Sequence, residues 1–153
     1  MLRPMGTIKA EASADVGAPA EQCYAIAADL ERAPEWQRSL QTVKVLERDD
    51  EGRAILVETV SDASVKLITA RLRFAYEPPT AIRVHQEKGD LKSLVGGWTF
   101  VQTGAITVAT YALDADPGRM LGMLLRGPVV DKVRHVLVGE AVEGLKTRAE
   151  QAA

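Results

Sequence analysis

Few side chains in this sequence could do chemistry, and their placement narrows what that chemistry would be. His85 and His135 are its two histidines and Cys23 its one cysteine. His85 shares strand parity with Arg83 and Glu87, the polar side of its segment. His135 follows Asp131 by four residues, a spacing that permits an exposed Asp–His pair on a helix. Neither imidazole has a ligand companion at metal-binding spacing, so no metal site is expected. Cys23 falls on the apolar face of a helical segment, which describes a buried, inert thiol better than a nucleophile. A lone cysteine also excludes an internal disulfide. Gly96-Gly97 lacks the lysine and following helix of a phosphate loop.

Carbonyl chemistry such as aldol cyclisation or dehydration needs a positioned acid or base titrating near neutrality. With the strands phased by their apolar residues, no Asp, Glu, His or Lys falls on the inward side. One residue of slip would reverse this and bring Glu58, Arg71, Arg73 and His85 inside. The inward polar groups are then Thr59, Gln86 and Gln102, with hydroxyls on Tyr76 and Tyr111. The seven aromatic residues are more informative. Phe74 and Tyr76 share one parity, as do Trp98 and Phe100, so each pair faces one way. Aromatic walls with few polar groups suit a flat or greasy ligand, and suit a solid core equally well. Met120, Met123 and Leu124 would form an apolar lip of adaptable side chains, or simply fill an irregular gap.

The elements that position these groups are legible from periodicity. Thr7 to Val16 alternates, with Ile8, Ala10, Ala12 and Ala14 on one side, as a half-buried strand does. Pro19 and Glu21 suit a helix start, and Cys23, Ile26, Ala27 and Leu30 continue at helical spacing until Pro34. From Gln41 the period is two for some seventy residues, broken by turn signals such as Asp49-Asp50-Glu51-Gly52, Pro78-Pro79, Gly89-Asp90 and Thr103-Gly104. Six strands joined by such short turns form an antiparallel meander. After Asp116-Pro117-Gly118 a short apolar helix is broken at Gly127-Pro128. A long helix then carries Val130, Val133, Leu137, Ala141 and Leu145 on one stripe. Val138 and Val142 fall off that stripe, so an exposed apolar patch there would support a partner-docking surface.

Composition sets the outer limits. The chain has 153 residues, 46% hydrophobic and 26% charged, with net charge −2. That length suits one domain over residues 1–153, with 1–6 and 149–153 frayed. Non-specific nucleic-acid binding needs a basic stripe that is absent here. No run approaches the roughly 20 apolar residues of a membrane span, and the N-terminus has no apolar leader behind Arg3. A cytoplasmic domain without a cofactor is the expectation. A homodimer is compatible with the sequence, though nothing in it points to one.

The expected class is α+β: a curved antiparallel sheet of about seven strands around a long C-terminal helix, with short helices after the first strand. A twisted sheet and a straight helix do not fit flush, which leaves room for an elongated cavity or a filled core. This order, with the segments Ala18-Pro19-Ala20-Glu21-Gln22-Cys23-Tyr24, Ala28-Asp29-Leu30-Glu31-Arg32-Ala33-Pro34-Glu35-Trp36 and Gly89-Asp90-Leu91-Lys92-Ser93 through Gly97-Trp98-Thr99-Phe100, resembles the helix-grip fold of the START-like (SRPBCC) superfamily. Within it the chain is similar to the bacterial polyketide cyclase/dehydrase and lipid-transport group. The resemblance implies a ligand cavity lined by the inward aromatics, with Trp36 near its mouth. Ligand contacts are thus expected at Trp36, Phe74, Tyr76, Gln86, Trp98, Phe100, Tyr111, Met120, Met123 and Leu124, with no catalytic residue. The expected function is binding of a hydrophobic small molecule (a lipid, polyketide, isoprenoid or fatty-acid derivative) as carrier or sensor. The alternatives are a cyclase or dehydratase using Tyr76, Tyr111 or Gln86 to polarise a carbonyl, and an interaction module with a filled core. A shared fold does not choose among them.

Overall fold

Alternating apolar and polar residues build the sheet, and the computed structural model describes it through residues 8–64 and 66–152. Thr7 and Val65, at the ends of expected strands, lie outside the described residues, as do 1–6 and 153. Seven antiparallel strands run β1 (Ile8–Val16), β2 (Leu40–Arg48), β3 (Ala54–Asp62), β4 (Leu67–Glu77), β5 (Ala81–Gly89), β6 (Ser93–Thr103) and β7 (Ile106–Asp116). They are ordered β1-β7-β6-β5-β4-β3-β2, the meander with β1 added beside its last strand. Helix α1 (Ala20–Ala28) and a 3₁₀ turn (Leu30–Glu35) follow β1. After β7 come α2 (Gly118–Leu124), α3 (Pro128–Arg134), a π turn (His135–Gly139) and α4 (Glu140–Ala152). The last three are one continuous C-terminal helix lying along the inner side of the sheet, the helix-grip arrangement.

The register keeps the charged residues outside. Glu58 pairs across the strands with Arg71, directly opposite it, at 3.3 Å. Arg73 bridges Glu47 and Glu87, and Arg83 reaches Glu77. His85 is exposed between them. The inner face carries the core: Val16, Cys23, Ile82, Trp98, Phe100, Ala109, Ala141 and Leu145 are buried together. Burial pushes the Cys23 thiol up, only partly offset by its hydrogen bond to Thr107.

The C-terminal helix departs from the expected stripe at one place. An α-helix advances 3.6 residues per turn, but the π turn at His135–Gly139 takes in an extra residue. The buried stripe widens there, and Val138 and Val142 are both buried rather than forming an exposed patch. Asp131 pairs with Arg134 at 3.1 Å, so the expected Asp–His pair does not form and His135 stands exposed. Gln102 turns away from the interior: its Oε1 accepts from the Ala20 N–H, capping α1, at 2.9 Å.

The chain end is anchored where fraying was expected from residue 149. Ala149 is fully buried, and its carbonyl accepts from Gln22 Nε2 at 2.8 Å. Glu150 accepts from Lys146 Nζ at 2.6 Å and from the Gly17 N–H at 2.9 Å. These two bonds, Lys146 first, hold the Glu150 carboxyl below its usual pKa. A depressed folded-state pKa gives stability present above the unfolded value near 4.5 and lost as pH falls through the folded one. Glu150→Gln is therefore expected to flatten the acid side of the stability profile below about pH 4.5, read as urea midpoints across a pH series.

Candidate functional site

Between sheet and helices lie two adjoining cavities, of about 110 and about 80 Å³. They share Gln37, Thr59, Ser61, Leu72, Val84 and Tyr111, which makes them two lobes of one interior. The larger lobe is walled by Ile68, Ala70, Leu94, Leu113 and Ala115 from the sheet. Its helical wall is Leu121 and Leu125 at α2 with Val133 and Leu137 from the C-terminal helix. The smaller lobe lies towards α1, among Ala27, Leu30, Trp36, Val57, Phe74, Ile82 and Trp98. Together the lobes exceed the roughly 150 Å³ apolar cavity that holds a benzene-sized guest. They fall short of the roughly 300 Å³ at which most small-molecule pockets begin.

The expected contact residues divide by position. Gln86 lines the larger lobe, Trp36, Phe74 and Trp98 the smaller, and Tyr111 both. Tyr76 and Phe100 border neither. The Tyr76 hydroxyl donates to the Ala54 carbonyl, with Arg53 over its ring at 5.4 Å. Phe100 is buried edge-on against Tyr24 at 6.3 Å. Met120, Met123 and Leu124 are 84%, 63% and 56% exposed, so the lip expected there is turned outward. Leu121 and Leu125 face the cavity in their place. An i, i+4 pair was as available in the sequence as the methionines, but a seven-residue helix offers too few turns to phase its faces. Gln37, Ser39 and Ser61 are lining residues that periodicity missed. Gln37 and Ser39 sit in the irregular stretch between the 3₁₀ turn and β2, where no period exists to read.

An aromatic stack gives the smaller lobe its rigid wall. Trp98 lies on Tyr111 at 4.6 Å between ring centres and on Phe100 at 5.8 Å, with Trp36 tilted against it at 6.1 Å. Trp36 is held close to the helix by Gly144, where a Cβ would meet the Trp36 carbonyl oxygen at 1.9 Å. Among the lining residues of both lobes, Tyr111 is the one ordinarily titratable side chain. Burial alone pushes its pKa up to about 12. At neutral pH it is a phenol, able to donate a hydrogen bond to a guest but not to act as a base. His135 lies elsewhere, on an outer groove with Glu140 and Arg148, and the described residues hold no cluster suited to a metal ion. No described helix is long and apolar enough to cross a membrane.

Known proteins share this architecture. A family model described as polyketide cyclase/dehydrase and lipid transport matches residues 16–139. A protein from Thermus thermophilus superposes with a TM-score of 0.82 at 21% identity, over 95% of this chain and 99% of its own. A START superfamily protein from Mycobacterium smegmatis gives 0.81 at 20% identity, over 95% and 99%. An aromatase/cyclase from Streptomyces sp. R1128 gives 0.79 at 18%, over 95% and 94%. No curated protein matches the chain in sequence. At these identities the solved structures speak for the fold, while the family match covers most of the sequence, the cavity walls included except for Ile8. The chain therefore belongs to the polyketide cyclase/dehydrase and lipid-transport family.

Proposed function

We propose that the protein binds a hydrophobic small molecule in the two-lobed interior, as a carrier or sensor. The observation that carries this reading is the lining itself: an enclosed, mostly aliphatic and aromatic space with no carboxylate, imidazole or amine in its wall. Apolar area removed from water drives such binding, at about 25 cal/mol per Å² before ordering costs. A ring or short chain fits the lobes as they stand. A longer ligand enters through α2, which supplies Leu121 to the wall. Gly118 and Gly127, both at positive φ, bracket this segment and let the backbone turn sharply at either end.

A cyclase or dehydratase is the second reading, favoured by the family description. Tyr111 could polarise a carbonyl there, but a phenol with pKa near 12 is no general base at neutral pH. Calorimetric titration with octan-1-ol tests the first reading. One-to-one saturable binding with a negative heat-capacity change is expected, since burial of apolar surface gives that sign. Absence of saturable binding would count against it. Hydrogen exchange checks the entrance: α2 amides are expected to exchange faster than those of β5 or β6 in the free protein and to gain protection with ligand. Unchanged α2 exchange at saturation would place the entrance elsewhere.

A further inference from the structure

The lining of both lobes has a second property besides being apolar: none of its residues carries a charge at neutral pH. Of the charged groups adjacent to them in sequence, Glu58–Arg71 and the bridge of Arg73 to Glu47 and Glu87 occupy the opposite face of the same strands. Side-chain polarity inside comes from amides and hydroxyls, on Gln37, Ser39, Thr59, Ser61, Gln86 and Tyr111, with the indole N–H groups of Trp36 and Trp98 on the smaller lobe. Thr59 is already engaged and Gln86 half so, since its Oε1 is buried with no partner. Gln86 Nε2 donates to the Leu91 carbonyl at 2.8 Å, and Thr59 Oγ1 reaches the Ala70 carbonyl at 3.5 Å. Tyr111 borders both lobes, its ring set by Trp98, and burial is the one influence on its phenol.

An ion entering such a space leaves water and meets no counter-charge, whereas a hydroxyl or carbonyl exchanges its water for neutral partners. Resting on the ligand-binding reading above, we infer that the interior selects neutral ligands bearing a hydrogen-bonding oxygen, with the Tyr111 hydroxyl as a polar contact, and rejects carboxylates and amines of equal length. Alcohols, phenols and ketones fit this class. Free fatty acids enter only in the protonated form. A carboxyl with pKa near 4.5 is neutral in about one molecule in 300 at pH 7, which sets the scale of the discrimination.

Octan-1-ol, octanoate and octylammonium, titrated into the protein at pH 7 with displacement of the alcohol as readout, test this directly. Octan-1-ol is expected to bind at least about 100-fold more tightly than either ion, with the larger gap to octylammonium, and the gap to octanoate to narrow as pH falls towards 5. Octanoate displacing the alcohol with an affinity within about fivefold of it would overturn the selectivity while leaving the binding reading intact; that factor is well below the expected 100-fold. Saturable binding by none of the three would overturn the binding reading, and this inference with it. Tyr111→Phe separates the polar contact from packing, because it keeps the ring on Trp98. It is expected to weaken octan-1-ol about five- to tenfold and to leave hexane binding unchanged. Equal octan-1-ol affinity in the variant and the parent would remove Tyr111 from the contact.

Discussion

Replacing Ala70 by leucine is expected to abolish binding of an apolar guest while leaving the fold intact. Ala70 is buried in the first half of β4 and lines the larger lobe, so a longer side chain there projects into the space the ligand needs. The added carbons meet a void rather than a packed neighbour. Filling such a void commonly adds about 1 kcal/mol of stability, which in a chain of this size raises Tm by about 2–4 °C. Overlap with a bound ligand costs more, so affinity is expected to fall at least about 100-fold. Ala115→Leu, on the same lobe from β7, is expected to act the same way. Retained affinity in both variants, with Tm unchanged or raised, would show that the ligand does not occupy the larger lobe.

Trp98→Ala is expected to be the most damaging single truncation for stability. The indole is buried at the junction of three other aromatic rings, Tyr111, Phe100 and Trp36, which come from β7, β6 and the turn after α1. Removing it takes away both its transfer energy and the surface its neighbours pack on, for a loss of about 3–5 kcal/mol. That is a large part of the roughly 5–15 kcal/mol that holds a domain of this size together. Urea denaturation with fluorescence of the remaining Trp36 measures it. Trp98→Phe, which keeps one ring in the stack, is expected to cost less than half as much. A loss below about 1 kcal/mol for the alanine variant would mean that the stack does not support the core.

Much of this architecture was written in local patterns. Strand parity placed Ile8, Ala10, Thr59, Phe74 and Trp98 on the inner face, because a strand with one side in water must alternate. The same parity kept Glu58, Arg71, Arg73 and His85 outside, and their cross-strand pairing agrees with it. Three features were not legible there, each for a physical reason. The π turn at His135–Gly139 changes the helical period without a residue that announces it, so Val138 and Val142 moved from the surface to the core. Helix α2 has two apolar sides, and only the packing of Leu121 and Leu125 over the larger lobe decides which one turns inward. Gln37 and Ser39 reach the cavity from a stretch without regular structure, where side-chain direction follows from the fold alone.

The central claim is that the two lobes, and not the exposed side chains of α2, receive the ligand. Intermolecular nuclear Overhauser effects between bound octan-1-ol and assigned methyl and ring protons test it most directly. Contacts are expected from the ligand chain to Leu72, Val84 and Leu113 and from its oxygen-bearing end to the Tyr111 ring. Contacts confined to Met120, Met123 and Leu124, with none to those interior residues, would contradict it.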